Sequence, residues 1–188
     1  MESWELKGHT LEFAEDSHTY LLDGIIVPSV TQVLGRPEEY ARVSEETLAK
    51  AADRGTAVHK SIENYCKGQD DGTEAVWDYK RLEKRHKIKA IHNEIPVIID
   101  GRIAGRVDMV AEIDGETAVA DIKTTATLNK ERLALQLNLY KIGVEQCHDI
   151  VITKLYGIHI RDGKAKLVAV PILEGDEWKE KLLNTAGA

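Results

Sequence analysis

The chain has 188 residues, of which 43% are hydrophobic and 30% charged, with a formal net charge of −7. That length carries one domain with a real core and is short for two, and the composition excludes disordered, collagen-like and low-complexity classes. No run approaches the roughly 18 apolar residues of a membrane span, and the N-terminal Met-Glu-Ser-Trp-Glu lacks the basic and apolar regions of a secretory leader, so the expectation is one cytoplasmic domain over residues 1–188 with no membrane contact. Two cysteines, Cys66 and Cys147, are too few for a four-thiolate zinc or iron–sulfur site and read as reduced, buried thiols. The acidic total argues against a polyanionic partner, but its distribution does not. Residues 80–92, KRLEKRHKIKAIH, hold six Lys/Arg against one Glu, a local +5 that leaves −12 for the rest.

In chain order, HTLEFAEDSHTYLLDGIIVPSVTQVLG predicts an N-terminal β-hairpin around Asp23-Gly24, then a Ser/Thr stretch that opens a helix, the whole lead-in covering 1–43. Ser44 is an N-cap for a helix to about Lys67, with a break expected near Arg54-Gly55. Gly68 and Asp70-Asp71-Gly72 end it. A second helix, from about Thr73 to Ile91, carries the basic strip, with Trp77, Tyr79 and Leu82 as apolar contacts. The period then changes to two. Ile95 to Ile99, Arg102 to Ile113 and Thr117 to Lys123 form an antiparallel meander through Asp100-Gly101 and Asp114-Gly115. A Leu-rich helix from about Asn129 to Val144, a hairpin through Asp162-Gly163 and a closing helix from Glu174 to Leu183 complete the chain. The expected architecture is α/β: a central mixed sheet covered by helices on both faces, the core spanning 44–172 and the last helix 173–188.

Across the Asp114-Gly115 hairpin, the turn places Asp108 opposite Asp121. Opposed like charges destabilise a sheet by up to about 1 kcal/mol at a surface and by more when shielded. A hard divalent cation, which prefers carboxylate oxygens, would compensate. Lys123 lies two residues beyond Asp121, on the same face, where it could orient or deprotonate a water or stabilise charge on a phosphorane. The plain alternative is a solvated salt-bridge ladder; the apolar Val107, Met109, Val119, Ala120 and Ile122 around these residues count against it.

Gly105-Arg106-Val107-Asp108, then Asp121-Ile122-Lys123, then Gln136-Leu137-Asn138-Leu139-Tyr140 resembles the PD-(D/E)XK nuclease superfamily, and the Gln-x-x-x-Tyr element is similar to that of its RecB-like exonuclease branch. Arg54-Gly55-Thr56-Ala57-Val58-His59 looks like that branch's helical histidine motif, and the hairpin ending in Pro28-Ser29-Val30-Thr31 resembles the leader of phage-type members. The resemblance implies a restriction-endonuclease-like core. It implies that His59, Asp108, Asp121 and the Ile122 carbonyl hold one or two Mg²⁺ or Mn²⁺ ions, with Asp108, Asp121 and Lys123 catalytic and Gln136 and Tyr140 positioning DNA. Glu63 shares a helix face with His59 and is a candidate supporting carboxylate; Glu94, just before the first strand of the meander, is a lesser one. Lys80, Arg81, Lys84 and Arg85 are candidate phosphate contacts. With two cysteines and no Walker motif, neither an iron–sulfur cluster nor a helicase engine is expected.

The implied activity is a metal-dependent deoxyribonuclease, an exonuclease of phage or bacterial recombination or replication, in the host cytoplasm if phage-encoded. A structure-specific endonuclease and a non-catalytic nucleic-acid-binding module are the alternatives. A single-strand annealing protein or helicase as partner, and oligomerisation, follow only at family level.

Overall fold

Three Asp-Gly dipeptides close two-residue hairpins, at 23–24, 114–115 and 162–163, and another, at 100–101, lies in a three-residue loop. Both residues of each of these pairs take positive φ, as the primed turns that match strand twist require. The computed structural model describes residues 1–37, 40–41 and 43–186, with side chains to Leu183; the expected lead-in and closing helix therefore extend partly outside the described residues.

The N-terminal hairpin is elaborated into a four-stranded antiparallel meander of β1 (Glu2–Leu6), β2 (His9–Ala14), β3 (Thr19–Leu22) and β4 (Ile25–Val27). Its apolar side, with Leu11, Phe13, Tyr20 and Leu22, packs on Ile98 and Ala104. The short α1 (Val30–Val33) follows, closed by a capping box between Ser29 and Gln32.

Helix α2 (Glu45–Cys66) starts at the expected N-cap, Ser44, but runs unbroken through Arg54-Gly55. Gly55 serves proximity and not a kink, because a Cβ there would lie 3.4 Å from Thr124 Oγ1. Helix α3 (Glu74–His86) ends five residues before the expected Ile91, on Lys87 in the left-handed conformation. The chain from Lys89 is strand, since Lys89 and Ala90 pair with Glu112 and Ala111 and the ladder overrides local helix propensity. Trp77, an expected core contact, is 55% exposed and lies beneath Lys80 Nζ at 4.6 Å, while Tyr79 and Leu82 are buried.

The second sheet has the order β5 (Lys89–Ile99), β6 (Ile103–Ile113), β7 (Glu116–Lys123), β8 (Lys154–Arg161), β9 (Lys164–Val170). All neighbours are antiparallel except β7 and β8, which are parallel. That pairing needs a crossover, supplied by α4 (Lys130–His148). With α5 (Glu177–Ala186), α1 and α4 cover one face around Val97, Val110, Val119 and Leu137. Helices α2 and α3 cover the other through Ile62, Tyr79 and Leu82. Cys66 and Cys147 are free and only half-buried. Among the described residues, no helix is long and apolar enough to cross a membrane.

Candidate active site

The β6–β7 ladder has the register that the Asp-Gly turn predicts, from Ile113 opposite Glu116 to Met109 opposite Ala120. It stops there, one pair short of the aspartates. At the next position the Asp108 carboxylate takes the place of a backbone partner and accepts the Ile122 N–H at 2.7 Å. Asp108 and Asp121 therefore do not confront one another as a simple cross-strand pair. Asp121 is 2% exposed; its Oδ1 accepts a hydrogen bond from Gln136 Nε2 at 2.9 Å, and its Oδ2 lies 2.5 Å from Lys123 Nζ.

Helix α2 brings His59 to the same point. Its Nε2 is 2.8 Å from the Ile122 carbonyl oxygen and its Nδ1 is 3.4 Å from Asp108 Oδ2. Arg54, earlier on the same helix, donates to the Thr124 carbonyl at 3.1 Å and fixes the helix against the end of β7. From the other side comes Glu94. It lies within β5, between the pairs Asn93–Met109 and Ile95–Val107, and has φ +53°, a conformation rare for a side-chain-bearing residue. The strained backbone aims its carboxylate into the site, so that ligand atoms of His59, Glu94 and Asp108 all lie within 4.8 Å of one another. Sequence pattern makes Glu94 a lesser candidate because it sets the residue ahead of the strand; the left-handed backbone that carries it in leaves no local signal.

Charge is balanced by protons. Burial disfavours charge on His59, but the Asp108 carboxylate outweighs it and raises the imidazole pKa to about 9. Burial and the Asp108 charge push Glu94 up to about 7. Burial would also raise Asp108, yet His59, Lys123 and the Ile122 N–H hold it below the ordinary carboxylate range. Asp121 is raised, by burial first and by Asp108 with it, although Lys123 opposes this. Lys123 keeps its proton more tightly than a free lysine: its burial is overcome by Asp121 and Asp108.

The remaining predicted residues fall into two groups. Tyr140 belongs to the site. Its ring packs so closely on Gly105 that a Cβ there would lie 2.8 Å from Cε1, which explains why glycine opens the Gly-Arg-Val-Asp stretch. Glu63 lines the same cavity but its carboxylate is engaged by Lys60, at 2.9 Å, and by Lys67. The basic helix lies elsewhere. Lys80 pairs with Asp70 and Arg81 with the buried Asp78, and Arg81 and Arg85 line a separate depression of about 290 Å³ with Lys164 and Lys166 of β9. Lys84 is exposed on the same helix.

His59, Glu94 and Asp108 line a cavity of about 900 Å³ walled by the N-terminal sheet, α2 and β6. One imidazole nitrogen, carboxylate oxygens and a backbone carbonyl form a donor set suited to a hard divalent ion that also tolerates nitrogen. The buried Asp121 Oδ2, which faces the Lys123 ammonium and makes no hydrogen bond of good geometry, fits the same demand for positive charge.

The fold is restriction-endonuclease-like, and the donor set of the site suits a divalent metal. The chain belongs to the PD-(D/E)XK nuclease superfamily, whose family model matches residues 69–185. Among solved structures it is similar to the one titled "Crystal structure of SSO0001", with 16% identity and a TM-score of 0.49 over 85% of this chain and 74% of that one. No curated protein matches it.

Proposed function

We propose that the protein is a deoxyribonuclease of the RecB-like branch, a single domain that hydrolyses phosphodiester bonds from DNA ends with Mg²⁺ or Mn²⁺ in phage or bacterial recombination or replication. The observation that carries this reading is the convergence of His59, Glu94 and Asp108 in one cavity, with the Asp121–Lys123 pair behind Asp108 through the Ile122 backbone. A recessed site receives a chain end more readily than the middle of a duplex, which favours exonucleolytic action.

His59, Glu94 and Asp108, with the Ile122 carbonyl and Asp121, would hold the cation. Bound there, it supplies Lewis-acid polarisation of the scissile phosphate and favours loss of a water proton. The chain's own groups do the rest. The Ile122 N–H fixes the Asp108 carboxylate at 2.7 Å. Gln136 occupies Asp121 Oδ1 and leaves Oδ2 to face the Lys123 ammonium. Because its neighbours strengthen its hold on the proton, Lys123 in the metal-free protein is a cation and not a base. It is placed to stabilise the negative charge that develops on a phosphoryl oxygen.

The test is degradation of linear and of covalently closed circular DNA in Mg²⁺ or Mn²⁺, with Asp108→Asn as control. Loss of the linear substrate alone, abolished in the variant, is expected. Cleavage of the closed circle would replace the exonuclease reading by an endonuclease, and a wild-type rate for Asp108→Asn would refute the site.

A further inference from the structure

The cavity has an unusual wall. Its inner side is metal-ligating and acidic, but the side made by the N-terminal sheet is aromatic and carries Arg106. Phe13 and Tyr20 form its buried base, at 5% and 6% exposure, with ring centroids 4.6 Å apart. His18 stands edge-on to Phe13 at 5.1 Å and is exposed, and Trp4 is half-buried at the rim. Arg106 lies on the same strand face as Asp108, two residues away. Its guanidinium sits 5.3 Å from the Trp4 ring centre and 5.0 Å from that of Phe13, steered by Glu2 at 3.0 Å.

Rings with accessible surface beside a cation within a groove are what a single-stranded nucleic acid needs, since each unpaired base has a face to stack and each nucleotide a phosphate to pair. Base pairing points the same way. In a B-form duplex the base faces are stacked on one another and closed to the rings, whereas in a single strand they are free to meet them. The Glu2–Arg106 pair, half-exposed on its Glu2 side, is of the kind a phosphate displaces at little cost.

We infer that the N-terminal sheet is a base-stacking wall that admits one DNA strand to the cavity, with bases on Trp4 and His18 and a phosphate on Arg106, so that single-stranded ends are the substrate of this site. The inference rests on the nuclease reading above and names its substrate class. It also accounts for the four-stranded sheet, because Leu11, Phe13, Tyr20 and Leu22 seat it on the β5–β6 hairpin, and the seat brings Trp4 and His18 to the cavity's wall.

The experiment measures binding by fluorescence anisotropy in Ca²⁺. The probes are a labelled single-stranded oligonucleotide, the same sequence as a blunt duplex, and the single strand with abasic sites at its end; the proteins are the wild type, Trp4→Ala and His18→Ala. The wild type should prefer the single strand, each variant should lose on the order of 10-fold on it, and the abasic probe should bind wild type and variants nearly alike. Equal binding of duplex and single strand overturns the inference, as does an undiminished loss on the abasic probe, which would mean that the substitutions only disturb the sheet. Thermal melts accompany each protein; should Trp4→Ala unfold, the exposed His18 variant and the abasic probe on the wild type decide alone. Cleavage of linear DNA in Mn²⁺ is run in parallel. Its absence would sink the nuclease reading, while the binding arm, which needs no cleavage, still judges the wall.

Discussion

Glu94→Gln is the substitution with the most demanding outcome, because it should make the metal-free protein more stable and the metal-bound one less so. The carboxyl is displaced upward from 4.5 to about 7 by burial and by Asp108. A folded-state pKa above the unfolded one means that stability is full below the unfolded value and is lost as pH rises through the folded one. At pH 8, where both states are ionised, the displacement costs the fold up to about 3 kcal/mol at 1.36 kcal/mol per pH unit. Solvent reaching the half-buried group reduces this to about 2 kcal/mol. At pH 5.5 the folded carboxyl keeps its proton and the cost is at most about 1.4 kcal/mol. Gln has no charge to lose. In EDTA at pH 8 the variant should therefore melt about 4–8 °C above the wild type, with a clearly smaller gap at pH 5.5. Mn²⁺ should reverse the order, since it binds the folded wild type through Glu94 and the variant more weakly. Thermal melts at the two pH values, with and without Mn²⁺, read all of this. A variant no more stable than the wild type at pH 8, or equally stabilised by Mn²⁺, would refute Glu94 as a metal ligand.

Lys123→Ala leaves His59, Glu94, Asp108 and Asp121 in place, so Mn²⁺ and DNA should still bind while cleavage in Mg²⁺ falls by about 10²-fold or more; turnover at the wild-type rate would show the lysine to be a mere salt-bridge partner. The His59 ring holds its second proton up to about pH 9, so Mn²⁺ affinity in calorimetry should climb from pH 7 to 9 with proton release, and His59→Ala should bind more weakly without that release. Replacing Lys80, Arg81, Lys84 and Arg85 together by Gln should weaken DNA binding and lower the salt slope by up to about one logarithmic unit for each phosphate no longer neutralised; an unchanged slope would make α3 a solvated face whose cations serve Asp70 and Asp78.

What is legible in the sequence is what depends on short range. Asp-Gly pairs between strands dictate primed turns whatever surrounds them, and the turn at 114–115 sets the β6–β7 register and with it the approach of Asp108 to Asp121. The caps at Ser44, Thr73 and Asn129 likewise depend on a few neighbours. The rest depends on which element docks where. The strand at Lys89 competes with a helical pattern and wins only because β6 is present to pair with it. The basic stretch begins on a helix whose Arg81 and Arg85 face β9 and whose Lys80 turns to Asp70, and composition along the chain carries no such direction. Glu94 is visible only through its φ, and the aromatic wall only once the N-terminal sheet is seated on Ile98 and Ala104.

The charge arrangement also explains why so many conflicting groups persist in one place. Glu94 and Asp108 meet at His59, and Asp121 faces Lys123, so three carboxyl groups share these two bases as partners. In the metal-free protein the conflict is relieved in two ways: both bases hold their protons more tightly, and Glu94 and Asp121 take protons up more readily. A half-protonated network of this kind would exchange its protons for a divalent ion, with the Ile122 N–H and Gln136 already holding the Asp108 and Asp121 carboxylates in place. The glycines complete the design, Gly105 letting Tyr140 close over β6 and Gly55 letting α2 reach the end of β7. Motifs that look scattered between Arg54 and Tyr140 are thus the contact points of four elements, α2, β6, β7 and α4, and the spacing between them is set by how closely those elements must approach.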